Sequence, residues 1–193
     1  MQQPIIKINP PFVSRAGEKL EHALNTFKIN LMDKICADFG CSTGGFTDCM
    51  LQHGATKVYA VDTGYGVLDW KLRKNTQVIL SERTNALFIK LPEPVDFVSV
   101  DVGWTPQSKI IPNALINLKM GGQIVSLIKP HYEAEKGMLT KGRLEDKFTQ
   151  EVLNKVKRDI EQAGGEILEI TRSPIVGSKG GNAEFLALLI KQS

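Results

Sequence analysis

The sequence predicts an α/β fold in which a parallel β-sheet is covered by helices on both faces. Short apolar runs alternate along the chain with segments of helical periodicity, which is the pattern of consecutive β-α-β units. The central runs are apolar at both odd and even positions, as expected of strands that are covered on two sides. A chain of 193 residues is long enough for one well-buried domain and short for two.

The elements follow from this pattern in order. The first is a helix that Ser14 would cap, and its apolar face consists of Leu20, Ala23, Leu24 and Phe27. Seven apolar runs then predict strands at 34–40, 57–62, 76–80, 95–101, 122–130, 165–172 and 183–190. Helices are predicted between them at 43–53, 107–118 and 144–163. The charged segment 131–147 is predicted to be a lid or a substrate-binding loop.

Composition narrows the class of protein. Apolar residues make up 42% and charged residues 23% of the chain, which is ordinary for a globular domain, and the net charge of +3 permits a nucleic-acid partner. Cys36, Cys41 and Cys49 are odd in number and form no C-x-x-C pair, so we expect reduced, buried thiols and no metal site. Prolines interrupt the first residues and no run has membrane-spanning length, so a cytoplasmic protein without membrane contact is expected.

Ionisable residues end four of the predicted strands. They are Asp38, Asp62, Asp101 and Lys129. In an open parallel sheet, ligands bind beyond the carboxyl ends of the strands, near the point where the strand order reverses. Any one of these residues is a weak signal because charged residues often end strands where the chain meets water, but together they indicate a site.

The stretch FGCSTGGFTDC follows the first strand and opens a helix. Its spacing, Asp38-x-Gly40-x-x-x-Gly44-Gly45, matches neither a P-loop nor the dinucleotide-binding G-x-G-x-x-G pattern. Backbone N–H groups at a helix start can serve a polar ligand, and Asp62 could accept hydrogen bonds from both hydroxyls of a ribose. A ligand with a ribose and an amino-acid tail suits this arrangement, namely S-adenosylmethionine. The alternative is a glycine-rich turn of structural use alone.

The sequence indicates a functional role for three further ionisable residues with different strength. Lys129 lies where a strand leaves the core, so partial desolvation would lower its pKa and make it a possible base. Glu184 shares strand parity with apolar residues and needs a partner if it is buried. Lys19 has no unusual local context and would be taken for a surface lysine.

Motifs along nearly the whole chain resemble those of one enzyme family. FVSRAGEKL, DFGCSTGGFTDCML, VYAVDTGYG, SERTN, DFVSVDV, LIKPHYEAEKG and SPIVGSKGGNAEFLALL occur in this order. The chain resembles the FtsJ-like ribose 2′-O-methyltransferases, and within them the TlyA branch, some of whose members are called haemolysins. The resemblance implies a Rossmann-like methyltransferase fold with a seven-stranded, mostly parallel sheet whose last strand is antiparallel.

The resemblance also assigns site residues. The family's Lys-Asp-Lys-Glu tetrad falls on Lys19, Asp101, Lys129 and Glu184. It implies that Lys129 orients or deprotonates the target hydroxyl, that the carboxylates fix the lysines, and that Lys19 adds positive potential. The implied residues for binding S-adenosylmethionine are Asp38, Gly40, Ser42, Gly44, Gly45, Phe46, Asp62, Asn85 and Asp101.

RNA, most of all ribosomal RNA or a ribosomal subunit, is the partner that the resemblance implies. TlyA-type proteins usually begin with a small RNA-binding domain, whereas here we expect a single methyltransferase domain over 1–193 with a short extension at 1–13. RNA affinity would then come from this domain, from a partner or from a further region. The expected RNA contacts, by phosphate binding or base stacking, are Arg15, Trp104, Tyr132, Lys136, Lys141, Arg143 and Lys179.

Two other functions remain open from the sequence. One is a methyltransferase that acts on a small molecule, although the paired lysines and the absence of an appended substrate-capping segment argue against it. The other is a non-catalytic or cytolytic protein, as the haemolysin name suggests. The sequence has no amphipathic or membrane-spanning segment to support insertion, and a complete tetrad argues against an inactive enzyme. Oligomeric state is not indicated by any pattern.

Overall fold

The computed structural model describes residues 10–177 and 181–192, and a seven-stranded β-sheet forms their centre. The first five strands, β1 to β5, are Ile35–Phe39, Lys57–Val61, Val78–Ser81, Val95–Val100 and Leu118–Ile128. A separate two-stranded hairpin follows, formed by β6 (Leu139–Thr140) and β7 (Arg143–Leu144). The main sheet is completed by β8 (Gly165–Arg172) and β9 (Phe185–Lys191).

Helices cover both faces of this sheet. They are α1 (Ala16–Thr26), α2 (Gly45–Gln52), α3 (Trp70–Arg73), α4 (Gln107–Asn117), α5 (Pro130–Glu133) and α6 (Thr149–Gln162), with 3₁₀ turns at Lys136–Met138 and Asp146–Phe148. One core cluster joins α4 and α6 to the sheet, and another joins α1 and α2 to its opposite face. The alternation is visible in β1, where Cys36 belongs to the second cluster and Ala37 to the first. Two buried faces explain why the central strands are apolar at both parities.

The strand order is β3-β2-β1-β4-β5-β9-β8, and β9 runs antiparallel to both of its neighbours. The prediction of a mostly parallel, seven-stranded sheet with an antiparallel last strand is therefore confirmed. The chain leaves β1 towards one side of the sheet and later returns to β4 on the other side. The carboxyl ends of β1 and β4 therefore flank the point where the strand order reverses.

Several local predictions differ from the structure. Ser14 does not cap the first helix with its side chain, because its Oγ lies against α2, 2.3 Å from where a Cβ on Gly45 would be. The short helix α3 was not predicted, since its four residues are too few to show a helical period. The predicted loop 131–147 contains α5 and the β6–β7 hairpin, and the long helix starts at Thr149 instead of 144.

Candidate active site

The strand ends at the reversal point lie close together and require a glycine. The N–H of Asp101 donates to the carbonyl of Phe39 with an N to O distance of 3.0 Å, which joins the ends of β4 and β1. A Cβ on Gly40 would lie 2.5 Å from the carbonyl oxygen of Asp101, and the φ of Gly40 is +88°. Both space and backbone conformation therefore exclude a side chain at this position.

A cavity of about 510 Å³, which we call the first cavity, opens at this point. Its volume lies within the ordinary range of ligand sites, ~300–1,000 Å³. Five of the nine predicted cofactor-binding residues line it, namely Gly40, Ser42, Asp62, Asn85 and Asp101. Lys129 lines it as well. The structure thus brings together residues that follow the five strands β1 to β5.

Asp62 is oriented in the first cavity by backbone groups. Its Oδ2 accepts from the N–H of Ser42 at 2.8 Å, and its Oδ1 accepts from the N–H of Gly64 at 2.7 Å. Each carboxylate oxygen can accept more than one hydrogen bond, so acceptor capacity remains for a ligand. Asn85 lies on the same wall, and its Oδ1 accepts from the N–H of Leu87 at 2.9 Å.

Asp38 is fully buried and does not line the first cavity. Thr47 Oγ1 donates to its Oδ2 at 2.7 Å, and Ser99 Oγ donates to its Oδ1 at 3.0 Å. Burial raises the pKa of Asp38 to about 7, although these two hydrogen bonds oppose the shift. Through these hydrogen bonds, Asp38 holds α2 and β4 against the end of β1.

Gly44, Gly45 and Phe46 do not line the first cavity either, and packing accounts for them. A Cβ on Gly44 would lie 2.3 Å from Leu72 of α3, and the φ of Gly44 is +101°. A Cβ on Gly45 would collide with α1, and Phe46 is buried in the core between α1 and α2. The bare backbone of the glycine stretch thus serves helix packing as well as the cavity.

A second cavity of about 600 Å³ adjoins the first and contains the whole predicted tetrad. Lys19, Asp101, Lys129 and Glu184 all line it. The two cavities share Asp101 and Lys129, together with Ser42, Gly103 and Trp104. A group bound in one cavity can therefore meet a group bound in the other beside Asp101 and Lys129.

The tetrad forms two ion pairs. Lys19 Nζ lies 2.5 Å from Glu184 Oε2, and Lys129 Nζ lies 2.5 Å from Asp101 Oδ1. The side chains of Lys19 and Glu184 are only 12% and 5% exposed, so this pair is shielded from water. Glu184 shares strand parity with core residues, and its need for a partner is met by Lys19, a residue that showed no signal of its own.

Two predicted RNA-contacting aromatics form one surface beside the tetrad. Trp104 and Tyr132 stack with ring centroids 4.6 Å apart, and Trp104 is 81% exposed with a φ of +58°. His131 also lines the second cavity and was missed by sequence reasoning, although it follows the LIKP motif directly. Burial, with a smaller contribution from Lys129, lowers the pKa of His131, while Glu184 opposes the shift.

The predicted basic contacts lie in two places. Arg15 lines the second cavity, whereas Lys136, Lys141 and Arg143 are exposed on or beside the β6–β7 hairpin. Lys179 lies outside the described residues.

The hairpin is tied to the segment before Glu184 by Asn182, another residue that the sequence did not indicate. Its Oδ1 accepts from the N–H of Leu144 at 3.0 Å, and its Nδ2 donates to the carbonyl of Gly142 at 3.2 Å. The Asn182 side chain is buried, so water has little access to compete for its two hydrogen bonds.

Within 10–177 and 181–192, no group of three or more His, Cys, Asp or Glu side chains is arranged to hold a metal ion. Cys36, Cys41 and Cys49 are free and buried, and burial raises the pKa of all three thiols. No helix in this part of the chain is long and apolar enough to cross a membrane.

The chain is similar to known methyltransferases over nearly its full length. The family model described as FtsJ-like methyltransferase matches residues 12–191. Hemolysin A of Brachyspira hyodysenteriae is 43% identical over 94% of this chain and 78% of its own length. The 16S/23S rRNA (cytidine-2′-O)-methyltransferase TlyA of Mycobacterium tuberculosis is 34% identical over 92% of this chain and 68% of its own length.

A solved structure supports the same comparison. A protein of Streptococcus thermophilus named as a hemolysin superimposes with a TM-score of 0.92 and is 38% identical, covering 97% of this chain and 70% of the other. Each of these relatives is thus longer than the part that this chain matches.

Proposed function

Because this chain belongs to the FtsJ-like methyltransferase family and is an S-adenosylmethionine-dependent enzyme, we propose that it methylates a ribose 2′-hydroxyl of ribosomal RNA. One observation carries the proposal: two lysine–carboxylate pairs line a cavity that joins the first cavity at Asp101 and Lys129. The M. tuberculosis relative, a 16S/23S rRNA (cytidine-2′-O)-methyltransferase, supports the same reaction.

The residues around the first cavity fit S-adenosylmethionine. Asp62 would accept hydrogen bonds from the ribose hydroxyls, because backbone N–H groups hold its carboxylate in place and leave acceptor capacity free. Asn85 lies on the same wall and would hydrogen-bond the adenine edge. A Cβ on Gly103 would meet no atom within 4 Å, so this stretch of wall is open to a ligand. When bound, S-adenosylmethionine supplies an activated methyl group on a positively charged sulfur.

Lys129 would hold the target hydroxyl. An ammonium group has three N–H donors. Asp101 Oδ1 accepts one at 2.5 Å and the carbonyl of Val102 lies at 3.5 Å, which leaves one donor for the substrate. In this state Lys129 orients the hydroxyl, and it would accept the hydroxyl proton only after giving up one of its own. Its position at the junction of the cavities makes alignment its first contribution, and alignment can supply about 7–11 kcal/mol.

Lys19, held by Glu184, would stabilise the negative charge that develops on the ribose oxygen. The ribose oxygen gains negative charge as its proton leaves, and a shielded lysine nearby stabilises that charge more than an exposed one could. Glu184 holds the Lys19 ammonium at 2.5 Å, so its position does not depend on substrate binding. We therefore assign Lys19 an electrostatic role and Glu184 a positioning role.

RNA would lie over the second cavity and the β6–β7 hairpin. The exposed face of Trp104, backed by Tyr132, offers a stacking surface for an unpaired base. Arg15 and the exposed cations Lys136, Lys141 and Arg143 would contact phosphates. Binding through such contacts must weaken as salt rises, and salt-independent binding would contradict them.

The experiment is a transfer assay with methyl-labelled S-adenosylmethionine. Small and large ribosomal subunits and the free rRNAs are offered separately, and nuclease sensitivity identifies label in RNA. We expect label in at least one RNA. Label only in low-molecular-weight metabolites would show a small-molecule methyltransferase instead, and no transfer to RNA despite calorimetrically measured cofactor binding would contradict the proposed substrate.

A further inference from the structure

A second aromatic surface lies outside the site described above. We call it the aromatic patch and define it as Tyr65, Trp70, Lys74 and Arg83. Tyr65 is 69% and Trp70 67% exposed, and neither belongs to a hydrophobic core cluster. Each ring is paired with a cation: Arg83 Cζ lies 4.3 Å from the centroid of Tyr65, and Lys74 Nζ lies 4.8 Å from the centroid of Trp70.

The turn that carries Tyr65 is held by hydrogen bonds. The N–H of Arg83 donates to the carbonyl of Gly64 at 3.1 Å, and the N–H of Gly66 donates to Glu82 Oε1 at 2.6 Å. The N–H of Gly64 in turn donates to Asp62, a residue of the first cavity. The ring is therefore presented by a fixed turn, so a partner that stacks on it loses little conformational freedom in the protein.

The helix that carries Trp70 is anchored as well. Leu72 of α3 is buried, while Trp70 of the same helix faces water. The N–H of Asp69 donates to the carbonyl of Thr43 at 3.0 Å, which ties the start of α3 to the glycine stretch. The exposure of Trp70 thus results from the orientation of a packed helix.

The aromatic patch adjoins the first cavity. Thr63 and Thr84, which line that cavity, are close in sequence to Tyr65 and Arg83. Tyr65 and Arg83 therefore lie near the carboxyl ends of β2 and β3, at the edge of the sheet where the first cavity opens.

Its charge favours an anionic partner. Lys71, Lys74 and Arg83 are exposed there, whereas the carboxylate of Glu82 is neutralised by Arg73 and that of Asp69 accepts from the N–H of Lys71. Lys71 Nζ lies 3.6 Å from Asp48 Oδ1, so this carboxylate offsets its charge. Lys74 and Arg83 are the cations that lie beside the two aromatic rings. Aromatic faces interleaved with cations suit single-stranded nucleic acid, which stacks its bases and presents phosphates.

We propose that the aromatic patch binds unpaired nucleotides of the substrate RNA that lie outside the second cavity. Bases stack on Tyr65 and Trp70, and phosphates pair with Lys74 and Arg83. This proposal rests on the proposed function, because it assumes that the same RNA is bound at the second cavity.

The test measures fluorescence anisotropy of a labelled oligocytidine of about 12 nucleotides, which exceeds a single stacking site. We expect Trp70→Ala to weaken binding roughly tenfold, as loss of one stacked base does. Arg83→Ala should make the plot of log affinity against log salt concentration less steep, by the amount expected for the loss of about one phosphate contact. Met120→Ala removes a similarly exposed apolar side chain at the amino end of β5 and should change neither quantity.

Methyl transfer to rRNA by the same variants separates this proposal from the proposed function. We expect Trp70→Ala to raise KM for RNA with kcat and cofactor affinity kept. If both patch variants keep the wild-type KM for RNA and the wild-type affinity for oligocytidine, the proposal is overturned and a protein partner becomes the candidate for this surface. Methyl transfer to rRNA by the wild type would still support the proposed function in that case. If the wild type transfers no label to RNA, the proposed function fails, and equal oligocytidine affinity of all variants would then overturn the patch as well.

Discussion

The two cavities at the carboxyl edge of the sheet are built in different ways. In the first cavity, the Asp62 carboxylate is held by backbone N–H groups of the turns that follow β1 and β2. In the second cavity, side chains pair across the molecule, and Lys19 and Glu184 are 165 residues apart. Cofactor binding is thus prepared by local turns, whereas the proposed catalytic charges are in place only when the first helix and the last strand have both packed.

The largest expected effect comes from the side chain shared by the two cavities. Lys129→Ala removes the group that would orient the hydroxyl and could accept its proton, and positioned proton transfer typically contributes about 10²–10⁴-fold, so kcat for methyl transfer should fall by at least about 10²-fold. The dissociation constant of S-adenosylmethionine should stay near that of the wild type. Single-turnover assays and calorimetry measure the two quantities. Lys157→Ala, an exposed lysine on α6, is the matched control; a Lys129→Ala enzyme that turns over like this control would remove Lys129 from the mechanism.

Replacing Asp62 in the first cavity should lower the affinity for the cofactor and leave kcat nearly unchanged. Asp62→Ala removes the acceptor for the cofactor ribose, and a hydrogen bond to a charged group contributes ~1.5–3 kcal/mol, so cofactor affinity should fall roughly 10- to 100-fold. At saturating cofactor, kcat should recover. Asp69→Ala is the control, because Asp69 also accepts from a backbone N–H but does not line the first cavity. An unchanged calorimetric affinity in Asp62→Ala would refute its assignment.

The buried carboxyl of Asp38 in β1 should affect the stability of the protein and not its activity. The pKa of Asp38 is raised from 3.8 to about 7 in the folded protein, so between these values the native state keeps a proton that the unfolded chain has lost. The free energy of unfolding should therefore fall by about 4 kcal/mol as pH rises through this window, at ~1.4 kcal/mol per pH unit. Urea unfolding of wild type and Asp38→Asn at pH 4.5 and 8 measures it. The substitution should remove this part of the pH dependence, and identical profiles would contradict a raised pKa.

The smallest effect should come from the link between the hairpin and the second cavity. Asn182→Ala loses both hydrogen bonds to the hairpin backbone, whereas Asn182→Asp keeps the acceptor for Leu144 and loses the donor to Gly142. We expect KM for RNA to rise by about three- to tenfold in Asn182→Ala and less in Asn182→Asp. Steady-state kinetics with the labelled cofactor measure this difference. Equal losses of kcat and stability in both variants would indicate a merely structural role.

The same contrast explains how much could be predicted from the sequence. The parallel sheet follows from apolar periodicity and Asp62 from its position at a strand end, whereas the antiparallel last strand is implied by the family resemblance. Lys19 has no local signal, because its role depends on a partner at the other end of the chain. His131 and Asn182 were missed for the same reason, since their surroundings come from distant segments.

The glycine stretch combines two uses of small residues. Gly44 and Gly45 leave room for neighbouring helices, whereas Gly40 is the glycine of this stretch that lines the first cavity, and cofactor binding by Gly44 and Gly45 stays a prediction. A pattern of small residues does not reveal what fills the space beside them. Packing partners such as α3, too short to be seen in the sequence, decide it.

The position of the transferred methyl tests the central claim most directly. Ribosomal RNA labelled by the wild-type enzyme is digested with alkali, which cleaves only next to a free 2′-hydroxyl, and the products are separated by size. The proposed reaction predicts that the label stays in alkali-resistant dinucleotides. Label released in mononucleotides would place the methyl on a base and would contradict ribose 2′-O-methylation.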